Sequence, residues 1–98
     1  RKLDTRPARL IPIERSRAPF YLRFHAQDRP GVLASVTRAL GRRRISIATI
    51  QQPSLRTRWG VPIILTTHAA EHGQVDAARR EVLRLKAVSP RHCLLRML

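Results

Sequence analysis

The spacing of the hydrophobic residues is the feature that most restricts the fold of this chain. From residue 20 onward it switches between the two-residue alternation of half-buried strands and the three-to-four-residue spacing of amphipathic helices. The order is strand, helix, strand, strand, helix, strand. The strands are predicted at residues 20–27, 45–52, 61–68 and 92–98, and the helices at residues 32–40 and 71–85. Two right-handed β-α-β crossovers then place both helices on one face of a four-stranded antiparallel sheet.

The predicted architecture is therefore an α+β, ferredoxin-like βαββαβ sandwich with strand order 4-1-3-2. Turn residues support its boundaries. Asp28 and Pro30 are typical of a helix start, and Gly41 suits the end of the same helix. Pro62 lies near the start of the third strand, where a missing N–H is tolerated, and Pro90 is predicted to end the second helical region. This fold hosts many functions, so it does not determine the function by itself.

Residues 1–19 show neither period. They carry Pro7, Pro12 and Pro19 among mostly basic polar residues. Such a segment is typical of an extended linker. We therefore predict a linker at residues 1–19 and one folded domain at residues 20–98.

The net charge of +14 comes from 20 Lys and Arg against 6 Asp and Glu. An excess of this kind is found in proteins that bind polyanions. The arginines are scattered through every segment, however, and the longest contiguous run is residues 42–44. Scatter favours ordinary solvated positions, so nucleic-acid binding is not expected on the charge alone.

Composition also restricts the compartment. The chain has no apolar run long enough to cross a bilayer, so no membrane partner is expected, and its first ten residues lack the apolar segment of a signal peptide. Cys93 is the single cysteine, so no internal disulfide can form. A reducing, cytoplasmic location is the expectation.

Three motifs, in the right order, resemble those of ACT domains. DRPGVLA at residues 28–34 resembles the D/N-x-P-G-V-L-A signature between the first strand and the first helix. ISI at residues 45–47 is similar to the I-S/N-I element that opens the second strand. VPIILTTH at residues 61–68 is similar to the V-P-I-V-x-x-T-H strand of the ACT domains of homoserine dehydrogenases. The resemblance covers about residues 20–98, which makes residues 1–19 the expected linker from a catalytic domain.

The resemblance implies a regulatory role. ACT domains bind a small effector, usually an amino acid, and here L-threonine is expected as feedback effector of the threonine and methionine branch of biosynthesis. The parent enzyme is expected to reduce aspartate semialdehyde to homoserine with NAD(P), bound in its catalytic domain. The four glycines, at positions 31, 41, 60 and 73, cannot form a GxGxxG loop, so this chain alone is predicted to hold no cofactor and to have no catalytic activity. A homodimer joined at sheet edges, through the second strand, is also implied.

The candidate effector-binding residues are Asp28, Gly31, Val32, Leu33, Ser46 and Gln52. Backbone N–H groups at the start of a helix lack internal partners, so residues 31–33 are suited to a carboxylate. Asp28 can accept a hydrogen bond from an ammonium group, although capping of the helix also explains its type. Ser46 is carried over from the family and could reach the ligand across a dimer interface. Gln52 is a candidate partner for the hydroxyl of threonine.

Metal binding and catalysis are not predicted. His25 is expected to approach His92, but His68 lies at the other end of the sheet, and two histidines do not make a zinc site. Cys93 is placed on an apolar face with Leu95 and Met97, where a thiol is inert. No pair of catalytic carboxylates is expected.

Two alternatives share the predicted fold. One is a structural dimerisation ACT module without a ligand. The other is a basic RNA-binding domain, which would stack bases on aromatic residues of the first and third strands. Residues 61–68 contain no aromatic residue, which weakens the RNA alternative.

Overall fold

The computed structural model describes residues 10–98 of the chain. After a short 3-10 helix at Ile13–Arg15 come, in chain order, β1 (Arg17–Ala18), β2 (Phe20–Ala26), α1 (Val32–Arg42), β3 (Ile47–Gln51), β4 (Val61–Thr67), β5 (Ala70–Glu71), α2 (His72–Leu83) and β6 (Val88–Arg96). The main sheet has four antiparallel strands in the order β3-β4-β2-β6. This is the predicted 4-1-3-2 order, and the ferredoxin-like fold is confirmed.

The core lies between the sheet and the two helices. The alternation in β2 buries Phe20, Leu22 and Phe24 completely or nearly so, while Arg23 points away from the helices. Residues spaced three and four apart supply the helical side of the core: Val36, Ala39, Leu40, Val75, Ala78 and Val82. No helix in the described part of the chain is long and apolar enough to cross a membrane.

The ends of α1 differ from the prediction. Gly31 is the residue before the helix, with φ 86°, and no side chain among residues 10–98 caps this end, so the capping role of Asp28 is wrong. The helix continues one residue past Gly41, to Arg42. The left-handed residue that follows is Arg44, with φ 59°, because the turn is closed by the N–H groups of Arg44 and Ile45 bonding back to the carbonyls of Gly41 and Leu40 at 3.0 and 3.1 Å.

β6 begins earlier than predicted and exposes a different face. Pro90 lies inside the strand, which is tolerated because β6 is an edge strand and its pairing with β2 shifts register between Phe24 and Ala26. Cys93 pairs with Arg23 and therefore points away from the helices. Leu94 packs against the core instead. The prediction that Cys93 lies on the buried face is wrong. Leu94 and Leu95 are adjacent, so each face of the strand carries a leucine and the sequence does not show which face is buried.

Part of the predicted linker is packed on the domain. β1 pairs with β5, with Arg17 opposite Glu71, and Ala18 is buried. The His72 N–H donates to the Ser16 carbonyl at 2.9 Å. β1 and β5 are each two residues long, too short to show a period, so sequence patterns did not reveal this pairing. The rest of the predicted linker, residues 1–9, lies outside the described residues.

Acid is expected to weaken α2 through one carboxylate. Hydrogen bonding from Arg79, with the charges of Arg79 and Arg80, holds the pKa of Asp76 below its usual 3.8. A lowered folded-state pKa stabilises the protein above the unfolded pKa, and that contribution is lost as the pH falls through the folded pKa. Asp76→Asn should therefore cost about 1 kcal/mol or less near neutral pH and nothing well below pH 3.8. Urea unfolding at both pH values checks this; an equal cost at both would contradict it.

Candidate functional site

A cleft of about 320 Å³ opens where β2 ends and α1 begins. β3 runs in the same direction as β2, with β4 antiparallel between them. The residue that follows β3 therefore lies at the same end of the sheet as the residues that follow β2. The cleft is lined by Gln27, Asp28, Arg29, Pro30, Gly31, Val32, Leu33, Gln52 and Ile63. The structure thus brings together five of the six predicted residues: Asp28, Gly31, Val32, Leu33 and Gln52.

Ser46 is the predicted residue that does not line this cleft. It comes just before β3, at the opposite end of that strand from Gln52. Its carbonyl accepts a hydrogen bond from the His68 N–H at 2.9 Å, and the residue is exposed. Within one subunit Ser46 is therefore separated from the cleft by the length of β3.

The start of α1 presents hydrogen-bond donors to the cleft. The Val32 N–H bonds back to the Arg29 carbonyl at 3.3 Å, and the Ser35 N–H to the Gly31 carbonyl at 3.0 Å. Among the described residues, the hydrogen bonds of the backbone do not use the N–H groups of Gly31 and Leu33. A Cβ at Gly31 would meet no atom of the described residues within 4 Å, so a ligand can approach the backbone here. These donors and the helix dipole favour a carboxylate.

Asp28 supplies negative charge at the rim of the cleft. Its side chain is 67% exposed, and Arg56 approaches its Oδ2 at 3.7 Å from a side chain that is 72% exposed. An ion pair this long and this solvated is weak, so the carboxylate remains free to accept from another donor. Asp28 and Gln52 also border a neighbouring cleft of about 310 Å³, which Arg56 lines.

Sequence reasoning missed Arg56. It lies in the basic loop between β3 and β4, where no periodicity or motif specifies which arginine turns back toward Asp28. Gln52 was nevertheless predicted to belong to the site, and the loop that contains Arg56 starts there. That proximity in sequence could have indicated that a residue of this loop lies near the cleft.

The two histidines expected to approach one another lie on opposite faces of the sheet. His25 is buried on the face away from the helices, with its Nδ1 3.2 Å from the Arg91 carbonyl oxygen. His92 points to the helical face, where its Nε2 is 3.2 Å from Nη1 of Arg79. Residues 10–98 contain no group of three or more His, Cys, Asp or Glu side chains arranged to hold a metal ion.

Comparison with known proteins gives consistent matches. The family model of the ACT domain matches residues 20–87. A homoserine dehydrogenase from Methylobacillus glycogenes is 40% identical over 89 residues, which are 90% of this chain and 22% of that protein. A homoserine dehydrogenase from Pseudomonas aeruginosa is 38% identical over 82% of this chain and 19% of its own length. The chain thus spans about a fifth of the length of these curated relatives.

Solved structures agree. The crystal structure of a homoserine dehydrogenase from Thiobacillus denitrificans superposes with a TM-score of 0.77 and 38% identity, covering 88% of this chain and 19% of that chain. The ACT domain of a GTP pyrophosphokinase from Chlorobium tepidum superposes with a TM-score of 0.62 over 82% of this chain and 100% of that one. At 14% identity the latter likeness shows the fold alone.

Proposed function

The chain belongs to the ACT domain family, and we propose that it is the amino-acid-binding regulatory domain of a homoserine dehydrogenase, with L-threonine as its effector. The observation that carries the proposal is the cleft at the start of α1, which gathers a carboxylate, free backbone donors and an amide. The relatives support the identity of the parent enzyme. Its NAD(P)-dependent chemistry would belong to a catalytic domain, which would be a partner of this one.

Each part of a zwitterionic amino acid has a partner in the cleft. Its carboxylate would accept from the N–H groups of Gly31 and Leu33, where the helix dipole adds to the attraction. Its ammonium group would donate to Asp28. The threonine hydroxyl would bond to the Gln52 amide, and its methyl group would face Ile63. The volume lies at the lower end of ligand sites, which suits a small amino acid.

A second subunit would complete the site. Among the described strands, β3 lies at an edge of the main sheet, and residues 48–51 are exposed. Antiparallel pairing of two β3 strands about Thr49 would set Ser46 of the partner subunit opposite Gln52, since each position is three residues from the centre. The effector would then contact both subunits. Binding would regulate the parent enzyme only if threonine preferred one arrangement of the subunits.

Disrupting this edge should separate the subunits. Ile50 is 40% exposed on β3, and Ile50→Glu would place two carboxylates close to the two-fold axis. We expect a dimer to become a monomer in sedimentation equilibrium, with weaker threonine binding. The matched control is Leu95→Glu on β6, the other edge strand, where 55% of the residue is exposed. A dimer that withstands Ile50→Glu but not Leu95→Glu would place the interface elsewhere.

Calorimetric titration of the chain with L-threonine tests the proposed function. The proposal predicts saturable binding of L-threonine and much weaker binding of D-threonine, L-serine and L-homoserine. Saturable binding of a different amino acid would keep the effector role and change its ligand. No binding by a folded dimer would favour the alternative of a structural dimerisation module.

A further inference from the structure

The face of the sheet that points away from the helices carries a separate cleft of about 330 Å³. It lies where β2 ends and where β4 and β6 begin. The loop at residues 52–60, which joins β3 to β4, covers it. We call it the Trp59 cleft. Its lining residues are Arg23, His25, Pro53, Leu55, Thr57, Trp59, Pro62, Ile64 and Arg91. None of the candidate effector-binding residues lines it.

The Trp59 cleft is positively charged. Within the described residues, no carboxylate lies within 4 Å of the guanidinium groups of Arg23, Arg58 or Arg91. The acidic residues of α2 instead pair with arginines on the helical side, and Asp28 pairs with Arg56. The cations on this face are therefore available to an anionic ligand.

Flat and apolar surfaces lie beside these charges. The Arg91 guanidinium carbon is 4.2 Å from the centroid of the Trp59 ring, and the His25 ring meets Trp59 edge-on at 5.8 Å. Trp59 is 37% exposed and Leu55 is 63% exposed. Exposed apolar groups beside cations suit a ligand with a planar, hydrophobic part and a charged part.

Internal contacts hold the cleft in shape. The Thr57 N–H and hydroxyl both donate to the Gly60 carbonyl, at 2.9 and 2.7 Å, which closes the turn that carries Trp59. His25 Nδ1 lies 3.2 Å from the Arg91 carbonyl oxygen and ties the same region to β6. A ligand would therefore enter a surface that is already formed, which reduces the entropic cost of binding.

We propose that the Trp59 cleft binds a nucleotide, either free or as part of a single strand. The base would pack against Trp59 and Leu55, and the phosphate would bond to Arg23 and Arg91. A second copy of the chain is a poor occupant, because face-to-face contact would bring these arginines against themselves. Trp59 supplies, from the loop, the aromatic surface that residues 61–68 lack.

The single tryptophan makes the cleft observable in the whole chain. Fluorescence of Trp59 is titrated with AMP and with a short single-stranded oligoadenylate, and adenosine and inorganic phosphate serve as separate controls. We expect saturable quenching by AMP or by the oligonucleotide, and much weaker effects of adenosine and phosphate. Arg23→Gln and Arg91→Gln should each weaken binding about tenfold.

Arg38→Gln is the matched control, because it removes one exposed positive charge from α1 on the other side of the molecule. Quenching by AMP would identify a site for free nucleotides, and quenching by the oligonucleotide alone would identify a single-strand site. The proposal is overturned if neither ligand quenches, if adenosine binds as tightly as AMP, or if Arg38→Gln weakens binding as much as Arg91→Gln. Circular dichroism confirms that each variant is folded.

Discussion

Gly60→Ala is expected to destabilise the domain by about 3 kcal/mol or more. Gly60 has φ 111°, a conformation that L side chains rarely adopt, and an added Cβ would lie 2.4 Å from the Ala26 carbonyl oxygen and 2.8 Å from its carbon. Ala26 is the last residue of β2, so its backbone cannot move without disturbing the central pairing with β4. Urea-induced unfolding, followed by circular dichroism, measures the change in the free energy of unfolding.

Gly41→Ala is the control for this prediction. Gly41 lies in α1, and within the part of the chain that the structure describes an added Cβ would meet no atom within 4 Å. Because alanine is the better helix former, this variant should be about 0.5–1 kcal/mol more stable than the original chain. If Gly60→Ala unfolded at the same urea concentration as Gly41→Ala, the close approach of residue 60 to β2 would be wrong.

Asp28→Asn is expected to weaken L-threonine binding by about tenfold or more. The change keeps the size of the side chain but removes the charge that would accept a hydrogen bond from the ligand ammonium group, and hydrogen bonds to charged groups contribute about 1.5–3 kcal/mol. Asp28 is 67% exposed and caps no helix, so the stability of the fold should hardly change. Calorimetric titration measures the affinity.

Asp76→Asn is the matched control for charge. It removes a carboxylate from α2, outside both clefts that Asp28 borders. Threonine affinity should stay within about twofold of the original value, a difference below 0.5 kcal/mol. Equal weakening by the two variants would indicate a general effect of net charge, and undiminished binding to Asp28→Asn would require another partner for the ammonium group.

The fold could be predicted from the sequence because its core elements have unambiguous periods. Apolar residues alternate from Phe20 to Ala26, which predicts one buried face for this strand. Val36 and Leu40 belong to a single apolar stripe, which predicts one buried face for the first helix. β6 was less predictable, because Leu94 and Leu95 permit either phase and Pro90 resembles a terminator. β1 is only two residues long, and its pairing with β5 depends on tertiary contacts.

The candidate site was predictable where a motif fixes the local backbone. The segment 28–33 combines a turn with a helix start, and the crossover topology then brings Gln52 beside it. The motifs also indicated the family correctly, as the match to residues 20–87 confirms. The role of Ser46 stays a prediction, because within one subunit it lies at the far end of β3, and its contact depends on a second chain. Arg56 was missed because it lies in the loop between β3 and β4, whose path is not specified by any periodic pattern or motif in the sequence.

Amide NMR spectra of the chain, recorded with and without L-threonine, test the central claim most directly. If the effector binds at the start of α1, the largest shift changes should occur at residues 27–33 and at Gln52, the segments that line that cleft. Changes at Ser46 would in addition support the contribution of a partner subunit. Saturable shifts confined to the Trp59 cleft, or no shifts at residues 27–33 in a folded protein, would contradict the account.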